Sequence, residues 1–306
     1  LKGKPIIDYC IEAAQGVTDD ITVVVGSNRE EIEDHLSGKV KLCIQENQLG
    51  TGDAVKSAVE LLPDSGTVLV MPGDVPLIKQ ETIKRLLTYH RNGGYAVTML
   101  SCIMRDPSGY GRIIRDSSGN VKSIVEDRDA SSEIKLIKEI NSAVYCFDAQ
   151  CLKKSLNMIK NDNDQGEYYL TDTIAIIGDM GRTIGAFIGD ACELSGINDR
   201  VQLSGLEKEI NKEIVESWMR AGVTVIDPDT TYISAEAKFG RDIILKPGTI
   251  IEGSSVIADD AVIGPYTRID SSSVGHGTSV TYSVMWDSSV GENCTVGPFA
   301  SVSYTH

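Results

Sequence analysis

Three short loops hold the residues that could do chemistry. In the first, Gln45-Glu46-Asn47-Gln48-Leu49-Gly50-Thr51-Gly52, two carboxamides carry the paired donors and acceptors that suit the edge of a nucleobase. Its glycines let backbone amides approach a ligand, and Thr51 is expected to cap the helix that begins there, although a plain helix-capping loop reads the same way. In the second, Met71-Pro72-Gly73-Asp74-Val75-Pro76, an aspartate ends an apolar run. A carboxylate there either coordinates a cation or closes a turn, and spacing alone does not separate the two. The third, Gly109-Tyr110-Gly111-Arg112-Ile113, is equally compatible with a substrate loop and a tight turn.

The elements that must position these loops alternate strand and helix. Strands are predicted at 21–25, 40–44, 67–71, 95–104, 112–114, 121–125, 143–147 and 183–188, with a Ser-Ser-Gly-Asn hairpin turn at 117–120 and helices at 29–36, 53–62 and 81–91. That order argues an α/β domain over 1–200 with a Rossmann-like, mixed but mainly parallel sheet, whose ligands gather at the carboxyl ends of strands. A helix over 201–220, within a linker spanning 201–222, is expected to join this domain to the next, or else to pack inside the first.

From 223 to 306 the periodicity changes to six. Ile250, Val256, Val262, Val274 and Val280 form one row, Ile251, Ile257, Ile263 and Ile269 a neighbouring one, and the beat resumes at Val290, Val296 and Val302. Small residues (Thr249, Ser255, Ala261, Thr267, Ser273, Ser279) fall between them at positions that fit tight corners. A helix repeats at 3.6 and a strand at 2, so this beat predicts the coils of a parallel β-helix, at about eighteen residues per three-sided coil.

Composition narrows the function classes. The 306-residue chain carries a net charge of −15, which disfavours nucleic-acid binding. No apolar run reaches membrane-spanning length. The seven cysteines lack metal-ligand spacing and read as reduced, mostly core residues of a cytoplasmic protein. An acidic chain that handles phosphates needs backbone amides, a local basic loop or a divalent cation.

Taken in order, QLGTG (48–52), PGDVPL (72–77), GYGRI (109–113), IVED (124–127), EIN (139–141), QGEYYLTD (165–172) and GIND (196–199), followed by hexapeptide coils, give the chain its likeness. It resembles the bacterial bifunctional N-acetylglucosamine-1-phosphate uridyltransferase/glucosamine-1-phosphate acetyltransferase family over essentially its whole length. The resemblance implies a left-handed β-helix and uridylyl transfer from UTP to N-acetylglucosamine 1-phosphate, giving UDP-N-acetylglucosamine and pyrophosphate. It implies that Gln45, Gln48, Gly50 and Thr51 read the uracil and that Pro72 and Gly73 lie beside the nucleotide. Asp74 and Asn198 would hold a catalytic Mg²⁺, and Gly111, Glu126, Asn141 and Thr171 would surround the sugar. It also implies a homotrimer built through the β-helix.

Against the family pattern, the sequence starts after the glycine-rich loop that wraps the UTP phosphates, and after the strand that carries it. It also stops before the coils that would bind acetyl-CoA and glucosamine 1-phosphate. The expectation is therefore of a partial sequence, with no acetyltransferase activity of its own. His306 is not read as a catalytic base, and His276 is read as a solvated corner. Two other readings stay open: a glucose-1-phosphate-type nucleotidyltransferase with a β-helix tail, and a catalytically incomplete module for binding or oligomerisation.

Overall fold

The computed structural model describes residues 4–26, 29–194, 196 and 200–303. The chain divides into two compact units, one of Ile6–Gly196 and one of Leu1–Pro5 with Ile197–His306.

The first unit opens with helix α1 (Ile6–Gln15), which sequence periodicity did not announce, then strand β1 (Thr22–Val25), helix α2 (Arg29–Leu36) and strand β2 (Lys41–Ile44). β1 and β2 pair in parallel as a two-stranded sheet. Helix α3 covers only Thr51–Ser57, because a 3₁₀ turn at Val59–Leu61 takes over the rest of the expected helix. Strand β3 (Thr67–Val70), helix α4 (Gln80–Gly93), β4 (Val97–Ile103), β5 (Arg112–Arg115), β6 (Val121–Val125), β7 (Glu139–Asp148), α5 (Ala149–Leu156), α6 (Asp172–Asp179) and β8 (Ile184–Ile188) follow.

The strands β3 to β8 form a six-stranded mixed sheet. β7 runs antiparallel to β3, β4 and β5, while β4 and β8 are parallel, so β3, β4, β5 and β8 share one direction. The β5–β6 hairpin closes over Ser117–Asn120 as expected, with the Asp116 carboxylate accepting the Ser118 and Asn120 amides at 2.8 and 2.9 Å. One face of the sheet buries Met99, Tyr145, Phe147, Leu152, Ile174 and Ile177; the other buries Ile83, Leu86, Leu100, Cys102, Ile140 and Val144. Alternate residues of β4 and β7 thus enter opposite cores, as the two-residue strand period requires.

The second unit begins with helix α7 (Arg200–Arg220) and continues as three ladders of short parallel strands. Ile233 stacks on Ile251 and Ile251 on Ile269, while Leu245 stacks on Ile263 and Phe239 on Ile257. This is the three-sided coil of a left-handed parallel β-helix. Its interior row is Ile233, Leu245, Ile251, Ile257, Ile263 and Ile269, all at most 1% exposed. Each such side chain contributes about 1.5–3 kcal/mol by leaving water. The row Ile250, Val256, Val262 faces outward instead, with Val256 44% exposed. After Ile269 the beat shortens, since Ile257 pairs with Val274 and Ile269 with Met285. The buried corner residues accordingly become Ser272, Thr278 and Ser283, not the expected Ser273 and Ser279.

α7 packs on the first coil. Val215 is fully buried there, Trp218 lies 4.9 Å from the Phe239 ring, and Asn211 donates to Thr231 O at 2.8 Å while accepting from Ile233 N–H at 3.1 Å. His276 is a half-exposed corner near Asp260, and His306 lies outside the described residues. Of the cysteines, Cys10, Cys102, Cys146 and Cys151 are buried, Cys43 is partly so, and Cys192 and Cys294 are exposed. Among the described residues no helix is long and apolar enough to cross a membrane.

Candidate functional site

The first loop is shaped by its own hydrogen bonds. Gln45 Nε2 donates to Gly50 O at 3.0 Å and to Asp53 Oδ2 at 2.8 Å. Both partners can only accept, so the amide orientation is fixed, and what Gln45 can still offer a ligand is its Oε1 acceptor. Gln48, at φ +31°, lies over the end of β1, where a Cβ on Gly26 would come within 2.6 Å of its Nε2. Gly50 sits at φ +109° and ψ 177°, a region reserved in practice for glycine, and a Cβ there would meet Tyr168 O at 2.6 Å.

That close approach exists because the loop is laced to residues 168–170. Tyr168 N donates to Leu49 O, Gly52 N donates to Tyr168 O, both at 2.7 Å, and Leu170 N donates to Thr51 Oγ1 at 3.0 Å. Thr51 therefore does not cap α3 as expected; its hydroxyl serves the neighbouring segment, and α3 starts with no side-chain cap.

At the other end of the same segment, Thr171 Oγ1 donates to Glu126 Oε1 at 2.9 Å. Glu126 Oε2 lies over Gly111, where an added Cβ would be 3.2 Å away. Gly111 O in turn accepts the Asn141 N–H at 2.9 Å. Gly111, Glu126, Asn141 and Thr171, four residues spread over sixty positions, are thus brought together. Burial, and then the nearby Asp129, Asp172 and Asp127 charges, push the Glu126 carboxyl above the ordinary range, with the Thr171 hydroxyl opposing. A carboxyl in that setting is suited to accepting hydrogen bonds from sugar hydroxyls that replace lost water.

The fully buried Arg112 fastens this cluster. Its guanidinium donates to Tyr110 O, to Ile137 O at 3.1 Å and to Asp127 Oδ1 at 3.0 Å, which ties the Gly109–Gly111 loop to the turn that precedes β7 and to the segment carrying Glu126.

Asp74 follows β3 and counts as exposed by surface, yet protein on several sides strips enough water from its carboxyl to raise its pKa; its own backbone N–H opposes the shift. Among the described residues no cation pairs with it. A Cβ on Gly196 would lie 3.8 Å from Asp74 Oδ2, and Gly196 N donates to Tyr110 Oη at 3.3 Å. Asn198 lies outside the described residues. Pro72 and Gly73 directly precede Asp74 at the carboxyl end of β3, with Gly73 exposed. Among the described residues no three His, Cys, Asp or Glu side chains gather as a metal cage. A site with few ligands from the chain still suits a divalent cation that keeps waters and takes substrate phosphates as its remaining ligands.

Sequence reasoning missed Tyr110, Arg112, Tyr145 and Asp53, which hold the assigned residues. Only Arg112 gave a signal, as a cation that opens β5 directly after the Gly109–Gly111 loop. A concavity of about 540 Å³ lined by Lys84, Arg85, Tyr89, Asn92, Tyr95 and Phe187 contains none of the assigned residues. The hydrogen-bonded loops, not that hollow, define the site.

Comparison with known proteins gives the family. The nucleotidyl transferase family model matches residues 1–219. The chain is 51% identical over 301 residues to the bifunctional protein GlmU of Caldanaerobacter subterraneus subsp. tengcongensis, covering 98% of the chain and 66% of the relative. It is 50% identical over 301 residues to that of Thermoanaerobacter pseudethanolicus, again covering 98% and 66%. With GlmU of Shouchella clausii it shares 45% identity over 303 residues, covering 98% and 67%. The chain spans about 66% of the length of such relatives. The chain belongs to the nucleotidyl transferase family, among the relatives of the bifunctional protein GlmU.

Proposed function

We propose that the first unit transfers a uridylyl group from UTP to N-acetylglucosamine 1-phosphate, releasing pyrophosphate and forming UDP-N-acetylglucosamine. The observation that carries this reading is the 168–171 segment. It is hydrogen-bonded at one end to the loop assigned to the base and at the other to the carboxylate assigned to the sugar. One rigid strap joining a base subsite to a sugar subsite is what a nucleotide sugar requires.

In the reaction an oxygen of the sugar phosphate attacks the α-phosphorus of UTP. The new P–O bond forms as the bond to the β-phosphate oxygen breaks, and pyrophosphate leaves with the electron pair. The nucleophile is already anionic, so no general base is needed, and rate comes from alignment and charge neutralisation. Gln45 Oε1 suits the uracil N3–H, because both Gln45 amide hydrogens are engaged within the loop. Glu126, Asn141, Thr171 and the backbone at Gly111 orient the sugar, and Pro72 and Gly73 flank the nucleotide. Asp74 and Asn198 would hold a divalent cation, Mg²⁺, which supplies positive charge to the phosphates when bound. The desolvated Asp74 carboxyl, with no cation paired to it among the described residues, supports that assignment.

For the whole protein the same reading adds acetylation of glucosamine 1-phosphate from acetyl-CoA, a cytoplasmic location, and a homotrimer assembled through the coils. The outward column Tyr266, Tyr282 and Phe299, with ring centroids 5.9 and 6.0 Å apart, supports an apolar contact edge there. A substrate panel on the intact protein tests the reading. Pyrophosphate release should be fastest with UTP and N-acetylglucosamine 1-phosphate; preference for glucose 1-phosphate or ATP would overturn it.

A further inference from the structure

β7 contains a bulge at the sugar side of the site. Tyr145 pairs with Met99 and Asn141 with Ser101, so three residues of β7 (Ser142, Ala143, Val144) face the single residue Leu100 of β4. Ser142 Oγ anchors the bulge on Leu100 O at 2.7 Å, and Ala143 takes the left-handed conformation at φ +61°. Residues four apart in a regular strand are separated by about 13 Å. Here the bulge folds that distance away, and Asn141 Nδ2 meets Tyr145 Oη at 2.6 Å. Bulges beside functional sites commonly re-aim a side chain.

The hydrogen bonds determine which way the Asn141 carboxamide points. Ala143 N–H, which can only donate, faces Asn141 Oδ1 at 3.2 Å. The other amide atom is therefore nitrogen, and Tyr145 Oη accepts from it. Tyr145 is 1% exposed, and burial raises its phenol pKa, so it stays protonated through the working pH range. Asn141 is left with one N–H and one oxygen lone pair to offer a ligand. A fixed carboxamide with one donor and one acceptor is complementary to an acetamido group, whose C=O accepts and whose N–H donates.

We infer that Tyr145 is a positioning residue for N-acetyl recognition: through its hydroxyl and the bulge it holds the Asn141 carboxamide in the single orientation that pairs with the acetamido group. The inference rests on the proposed sugar specificity and deepens it. Asn141 was assigned to the sugar by resemblance, whereas the role of Tyr145 comes from the bulge alone.

The test is Tyr145→Phe in the intact protein, which removes one oxygen and keeps the ring. KM for N-acetylglucosamine 1-phosphate should rise about 5- to 10-fold, the size expected for one lost hydrogen bond. The kcat should stay within about twofold, because binding lost equally in ground and transition states moves KM alone. KM for UTP, and for glucose 1-phosphate, which has no acetamide, should not move. In an Asn141→Ala background Tyr145→Phe should add nothing, since its effect passes through Asn141. Equal losses for both sugars, or an effect that persists without Asn141, would overturn the role. So would an unchanged preference in Tyr145→Phe when the wild type prefers the N-acetyl sugar. A wild type that prefers glucose 1-phosphate would instead sink the functional reading beneath it. A crystal structure of the wild type with UDP-N-acetylglucosamine tests the same point without a variant. Asn141 Nδ2 should stay on Tyr145 while the amide contacts the acetamido group, and an Asn141 turned away from Tyr145 would refute the inference.

Discussion

The Thr51 hydroxyl oxygen accepts the backbone N–H of Leu170 across 3.0 Å, joining two loops that are 119 positions apart in sequence. Leu170 is 5% exposed, so water cannot replace this partner. Thr51→Val keeps the shape and removes the acceptor. It should lower unfolding free energy by about 1–3 kcal/mol, the cost of leaving a buried donor unpaired. KM for UTP and for the sugar phosphate should rise together, because the strap serves both subsites, whereas Thr51→Ser should restore both. Denaturant unfolding alongside steady-state kinetics reads this out.

Gly50 should tolerate no side chain. Its φ of +109° and the 2.6 Å approach of Tyr168 O predict that Gly50→Ala loses more than about 2 kcal/mol and most UTP binding. Gly119→Ala is the control: φ is +85° at the β5–β6 turn, but open space surrounds the added Cβ. It should lose about 1 kcal/mol from backbone strain alone and keep full activity. Thermal unfolding and titration with UTP separate the two.

The Asp74 carboxyl has a raised pKa because burial disfavours its charge. In the cation-free protein, protonation relieves that cost, so this group favours folding at low pH and the benefit is lost as pH rises through the raised value. Cation binding has the opposite sign, needing the carboxylate and weakening as pH falls through the same range. The acid limb of kcat/KM should therefore lie at higher pH than an ordinary aspartate gives, and rise further in pH as Mg²⁺ is made limiting. A pH–rate series at two Mg²⁺ concentrations checks both.

In the β-helix the inner and outer rows are adjacent in sequence but not in consequence. Ile257→Ala, at a fully buried position, should destabilise the coil by about 2–5 kcal/mol, whereas Val256→Ala, at a position 44% exposed, should change it by no more than about 0.5 kcal/mol. The unfolding transition of the coil unit is the measurement.

These cases also mark what was legible beforehand. Most strand positions, the Ser117–Asn120 turn and the six-residue beat were readable because each depends on local spacing of apolar and turn residues, but β7 begins at Glu139, four residues before the expected strand. Which of two adjacent rows faces inward was not, since Ile250 and Ile251 are equally apolar and only the ladder register decides between them. The true role of Thr51 was hidden because its partner, Leu170, is remote in sequence. Tyr145 was invisible for a different reason. Tyr145 reads as an ordinary position of the expected strand 143–147 and Asn141 falls before that strand, so nothing in their spacing announces a bulge with an alanine at φ +61° between them. α5 and α6 were missed as short amphipathic segments beside stronger strand signals. Asn198 lies outside the described residues, so its assignment rests on resemblance.

The most direct test of the account is pyrophosphate release by the intact protein with UTP, N-acetylglucosamine 1-phosphate and Mg²⁺, comparing wild type with the isosteric Asp74→Asn. The account predicts a loss of at least about 100-fold at saturating substrates, on the scale of removing one electrostatic anchor of phosphoryl transfer. Turnover by Asp74→Asn within twofold of wild type would contradict it.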